Sequence, residues 1–143
     1  MKIKLNKLAA DRHMEAENEE GGRIRMDGTR SIGGLEGGMS PMQLMLAAAG
    51  GCSTIDIIGI LEKQRQDLKE IHVEVDGDRQ KVSTYSEFKT IHMHYILKGE
   101  LDPVKVEKAI ELSVGKYCSV SKALEKTAKI TTSFEIVENS FSR

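Results

Sequence analysis

The chain has 143 residues, 39% of them apolar and 30% charged, and a net charge of −1. This length suits one domain, 1–143, around one core, and the near-neutral balance excludes an electrostatic footprint for nucleic acid or anionic lipid. Aromatics are 4% and tryptophan is absent, so the core must come from Ile, Val, Leu, Met and Ala, and stacking platforms for bases are lacking.

Met1 to Leu8 carries lysines but no uninterrupted apolar stretch, so it does not read as a secretory signal. A cytoplasmic location is expected, where structural disulfides are rare. Ile3 and Leu5 alternate with Lys2, Lys4 and Asn6, the period of a half-buried strand. The polar stretch from Asn18 to Gly22 reads as a turn and Arg23–Met26 as a returning strand closed by Asp27-Gly28. A glycine-rich loop from Gly28 to Gly38 follows, holding Arg30 and Glu36. It lacks the Lys-Ser/Thr of a phosphate-binding loop, and no clear strand leads into it.

Ser40, Pro41 and Gln43 supply an N-cap, an N1 proline and a capping box for a long helix ending near Gln66. Met42 to Leu61 is the most apolar stretch of the chain and approaches the length of a membrane span. Gln43, Ser53, Thr54, Asp56 and three glycines interrupt it, and basic or aromatic belts are missing. A buried core helix is expected, and no membrane. Gly50-Gly51 at mid-helix costs about 1 kcal/mol per glycine relative to alanine, so either a close backbone approach or access to Cys52 must offset it.

Downstream, Ile71, Val73 and Val75 alternate with polar residues, and Asp76-Gly77 reads as the turn that ends the strand. Ile91, Met93, Tyr95 and Leu97 share one face of the next. His92 and His94 on its other face are spaced for a metal, but without further ligands they read as a solvated sheet face. Asp102-Pro103 opens a second helix with Val106, Ala109, Ile110 and Val114 as its apolar stripe and Gly115 at its end. A short helix starting at Ser119 or Ser121 and a final strand carrying Ile130, Thr132, Phe134 and Ile136 complete an α+β pattern with mostly antiparallel sheet.

Two cysteines carry the candidate chemistry. Cys118 precedes a short helix whose N–H groups favour a thiolate. Cys52 lies well inside the long helix, and Asp56, one turn on, opposes ionisation. A cation from Arg23, Arg25 or Arg30 is then needed for Cys52 to react at neutral pH. Two inert core thiols remain the competing reading.

Gly33–Pro41, Leu44–Asp56 with Ala47-Ala48-Ala49-Gly50-Gly51-Cys52, and Lys116-Tyr117-Cys118-Ser119-Val120 together resemble the OsmC/Ohr family of osmotically induced and organic hydroperoxide resistance proteins, closer to its OsmC-like branch. The resemblance spans nearly the whole chain. It implies an OsmC-like fold, an intertwined homodimer with the cysteines at the subunit interface, and a thiol peroxidase without cofactor or metal. By that resemblance Cys52 is the peroxidatic thiol, Cys118 resolves it, and an external dithiol reductant restores the pair. A preference for organic hydroperoxides fits an apolar pocket from Met42, Met45 and Ile55, with Ile58 beside them. The family's Glu that orients an Arg over the thiolate falls at Met42 here, which leaves Arg30 as the favoured cation and Arg23 and Arg25 behind it. The alternative is a non-peroxidatic member binding a small apolar or electrophilic ligand at the dimer interface.

Overall fold

The computed structural model describes residues 1–8 and 12–138. The chain divides into two compact units, Met1–Met45 and Leu46–Arg143.

The first unit is an antiparallel meander of β1 (Ile3–Lys7), β2 (Met14–Asn18) and β3 (Arg23–Met26). Leu5 and Ile24 both stand opposite Ala16 across the central strand. Ala16 is buried, whereas Leu5 and Ile24 remain about half exposed, at 52% and 48%. The central strand shows too weak an alternation to be read alone, since Ala16 is its one small inward residue. The turn falls where expected: Asn18 Oδ1 accepts from the N–H groups of Glu20 (3.1 Å) and Gly22 (2.6 Å), and Gly21 supplies the left-handed conformation at φ 86°.

A buried carboxylate organises the glycine-rich loop. Asp27 accepts from the N–H groups of Gly28 (2.7 Å), Leu35 (3.1 Å) and Gly37 (3.0 Å). These bonds, that from Gly37 foremost, hold its carboxyl below the usual range against burial.

The capping box forms as expected. Gln43 Oε1 accepts from Ser40 N–H (2.8 Å) and Ser40 Oγ accepts from Gln43 N–H (3.2 Å). Helix α1 runs Pro41–Lys63, three residues short of the expected end, because Arg65 turns left-handed (φ 55°) and Gln66 N–H closes onto Leu61 O (2.9 Å). α1 is long and apolar enough to cross a bilayer. Only 28% of its apolar stretch is buried, so the expected fully buried helix is not what this chain shows: Ala49, Gly50, Ser53, Ile57 and Leu61 are enclosed, while Ile55 stays exposed.

The second unit's sheet has the order β4-β5-β6, with β4 (Asp67–Lys81), β5 (Ser86–Glu100) and β6 (Lys129–Val137). Ile91, Met93, Tyr95 and Leu97 form the expected core face, all with no solvent exposure. The turn expected at Asp76-Gly77 does not exist. β4 continues through it, with Gly77 opposite Ile91. The Phe88 ring and Leu46 crowd the place where a side chain at Gly77 would stand, at 2.7–2.9 Å. Glycine here makes room rather than a bend, and the strands reverse instead at 82–85, where Val82 N–H donates to Tyr85 O (3.0 Å).

β6 lies parallel to β5, with Phe134 opposite Tyr95, so the connection must cross over through helices. α2 (Pro103–Leu112) is capped by Asp102, whose Oδ1 accepts from Val104 N–H (2.9 Å). Gly115 does not end it cleanly. A wider π turn, Ser113–Tyr117, follows, and Cys118 N–H closes it onto Ser113 O (2.7 Å). The short α3 (Ser119–Leu124) then starts with Cys118 as its N-cap.

Candidate functional site

Gly50 explains half of the glycine pair. A Cβ there would stand 2.9 Å from Val75 and 3.4 Å from Val73, so glycine lets α1 settle onto β4. Gly51 meets nothing within 4 Å and is exposed. Close seating of the helix brings Ser53 to the sheet, where Tyr95 Oη donates to Ser53 Oγ at 2.7 Å. Ser53 in turn reaches the carbonyls of Ala49 (2.8 Å) and Gly50 (3.1 Å). Burial pushes the Tyr95 hydroxyl up to about 12, against the lowering effect of Ser53, so it is a neutral donor that fixes the helix rather than a proton shuttle.

With α1 so fixed, Cys52 projects beside the π turn at the end of α2. That turn delivers Cys118. Cys52 Sγ, Cys118 Sγ and an Asp56 carboxylate oxygen all lie within 4.8 Å of one another. Both thiols are free, Cys52 half-buried and Cys118 buried. Ser113 Oγ sits 3.0 Å from Ser53 O and 3.3 Å from Asp56 Oδ2, tying the π turn to the helix face that bears Cys52.

The expected thiolate at Cys118 is not favoured. Burial pushes this thiol up, the Ser121 hydroxyl and N–H pull it down, and the neighbouring Cys52 adds to the rise. Ser121 N–H donates to Cys118 Sγ at 3.4 Å. Desolvation outweighs both Ser121 contributions at the start of a six-residue helix.

The three candidate arginines each have a carboxylate partner within the first unit. Arg30 Nε donates to Glu36 (3.1 Å), Arg25 pairs with Glu15 (3.4 Å), and Arg23 with Glu17 (3.4 Å). Among the apolar candidates, Met42 and Ile58 are half-buried, whereas Met45 and Ile55 are exposed. A cleft of about 660 Å³ opens on Ile55, Asp56, Ile60, Lys63, Leu112 and Tyr117. His92 and His94 are engaged along β6: His92 meets Thr131 and Ser133 (both 2.8 Å), and His94 meets Ser133 (2.7 Å) and Glu135 (3.2 Å).

Sequence reasoning found both thiols and Asp56 but missed Ser53, Tyr95, Ser113 and Ser121. Two signals were present. Tyr95 lies on an otherwise apolar face, where a buried hydroxyl demands a partner. Ser113 falls on the stripe of Val106, Ala109 and Ile110, where a core residue would be expected.

A family model described as OsmC-like protein matches residues 33–133. Protein YhfA of Escherichia coli K12 is 40% identical over 122 residues, 85% of this chain and 87% of that protein. A hypothetical protein from Aquifex aeolicus VF5 superposes with a TM-score of 0.82 at 27% identity, covering 97% of each chain. An organic hydroperoxide resistance protein from Legionella pneumophila shares the fold at a TM-score of 0.73 and 18% identity, over 93% of this chain and 94% of that one.

Proposed function

Since the chain belongs to the OsmC-like protein family, we propose that it is a thiol-dependent peroxidase for organic hydroperoxides, working in the cytoplasm as a homodimer. One observation carries this reading: two sulfurs remote in sequence stand with Asp56 inside a 4.8 Å cluster, one half-buried and one buried. Their asymmetry suits a division of labour. The more accessible Cys52 loses its proton and attacks the terminal oxygen of R–O–O–H. The O–O bond breaks, the alkoxide takes up a proton to leave as ROH, and Cys52 becomes a sulfenic acid. The Cys118 sulfur then displaces hydroxide from that sulfenic acid. Water leaves with the Cys118 proton and a disulfide forms. An external dithiol reduces it by exchange and is itself oxidised.

Keeping Cys118 protonated until the sulfenic acid appears limits its own reaction with peroxide, since the thiolate is the nucleophile. Arg30 is the proposed cation over Cys52, and Met42, Met45 and Ile55 the proposed apolar contacts for the alkyl group. The resemblance to organic hydroperoxide resistance proteins and the apolar residues around the cleft support this substrate class. The half-exposed Leu5 and Ile24 of the first unit support a second copy as their cover.

Intact-mass measurement before and after one equivalent of cumene hydroperoxide tests the chemistry. The parent loses two hydrogens and forms the Cys52–Cys118 bridge. A Cys52→Ser protein that consumes the peroxide as fast as the parent overturns the reading. Met42, standing where the family's peroxidases carry Glu, favours a second one: a ligand-binding member without peroxidase turnover. Under that reading the parent is inactive and Met42→Glu creates activity.

A further inference from the structure

We propose that Cys52, Asp56 and Cys118 form a site for a borderline-soft divalent cation of the Zn²⁺ class, held by two sulfurs and one carboxylate oxygen with water in the fourth position. The inference concerns the same thiols as the peroxidase reading but does not depend on it.

Geometry is the first support. The three donor atoms lie within 4.8 Å of one another. In a tetrahedral zinc site with bonds of about 2.0–2.3 Å, ligand atoms stand about 3.3–3.8 Å apart. Closing the cluster therefore takes a shift of about 1 Å, within reach of side-chain adjustment. Cys52 and Asp56 are one helical turn apart and face the same way, so α1 presents two ligands at a fixed spacing. The π turn supplies the third.

Charge gives a second argument. Two thiols and a carboxylate converge without compensation: among the described residues no Lys, Arg or His forms an ion pair with Asp56. A divalent cation displaces a proton from each thiol to the surrounding water and offsets two of the three negative charges then present, so the site keeps the single negative charge it has with both thiols protonated. The sulfur donors select Zn²⁺ over Mg²⁺ or Ca²⁺, which prefer oxygen.

Outer contacts are also in place. Ser113 Oγ orients the Asp56 carboxylate (3.3 Å), and Ser121 N–H reaches Cys118 Sγ (3.4 Å). Independently of these, the fully buried Ser121 Oγ has no hydrogen-bond partner. An orphaned buried hydroxyl on the residue whose N–H already reaches a candidate ligand is a group that a deprotonated, metal-bound sulfur would satisfy. The cleft with Asp56 in its wall gives the ion and its water an entry path.

Titration of the fully reduced protein with Co²⁺ alone, without oxygen, tests the site. The expected result is one Co²⁺ per chain with a sulfur-to-cobalt charge-transfer band, displaced by Zn²⁺. Affinity falls at least about tenfold in Asp56→Asn and about 10–100-fold in Ser113→Ala, the range for a lost outer contact. No charge-transfer band in the parent overturns the proposal, and so does an Asp56→Asn protein that binds as tightly as the parent. If Asp56→Asn does not fold by circular dichroism, Ser113→Ala decides on the same criterion. Peroxide consumption assayed on metal-free protein separates the two readings: turnover without cobalt binding sinks only the metal site, and binding without turnover sinks only the peroxidase.

Discussion

Leu5, Ala16 and Ile24 form one cross-strand row in the first unit, and only the alanine is buried. In the second, Ile91, Met93, Tyr95 and Leu97 have no exposure, with Ile57 and Leu61 of α1 equally enclosed. Both are three-stranded sheets, yet they are held by different forces. The second rests on apolar burial. Order in the first leans on polar devices: the Asn18 turn, the Asp27 carboxylate with three N–H donors, and glutamate–arginine pairs across the meander. In the second unit α1 is seated on the sheet through Gly50 and the Tyr95–Ser53 hydrogen bond, and the cysteine pair sits there.

That contrast can be broken by mutation. The largest effect is expected for Leu97→Ala, about 2–5 kcal/mol of unfolding free energy by denaturant titration, because a fully enclosed side chain leaves a cavity. A cost like that of a surface change would show that the second sheet is not the core. Tyr95→Phe removes one buried donor while Ser53 keeps its carbonyl partners, so about 0.5–1.5 kcal/mol is expected. It should also slow formation of the Cys52–Cys118 bridge if the serine contact registers the helix.

Asp27→Asn probes the first unit's polar order through pH. The native carboxyl is held below its ordinary value, so its contribution is present above the unfolded value and is lost as pH falls through the folded one. The parent's melting temperature should therefore drop on acidification over that window, and the variant's should be flatter there. Equal acid sensitivity in both proteins would remove Asp27 as the loop's organiser. The smallest effect is expected for Leu5→Ala, about 0.5 kcal/mol or less at concentrations that keep the chain single, since its side chain is already about half exposed. A cost near that of Leu97→Ala would erase the distinction between the units.

Capping chemistry was legible in the chain because it is local: Ser40-Pro41 with Gln43, and Asp102-Pro103, each do in space what their order announces. The β5 alternation was legible for the same reason, as a period-two pattern needs no knowledge of its partner. Asp76-Gly77 misled because a glycine can stand in a turn or under an aromatic ring, and only Phe88 and Leu46 decide between them. The parallel placement of β6 was hidden too, since pairing direction depends on the crossover and not on the strand's own residues.

For the site, sequence alone determined the inventory: two thiols, one carboxylate a helical turn from the first, and family membership through the motifs around them. Tertiary structure decided that the thiols come within 4.8 Å of each other, that Ser113 and Ser121 attend the cluster, and that burial pushes the Cys118 thiol up. The physical reason is range. Caps and alternation are settled by neighbours a few residues away, whereas proximity and desolvation depend on which distant segments the fold packs together. Gly50, small enough to let α1 settle against Val73 and Val75, belongs to both accounts: its identity was readable and its purpose was not.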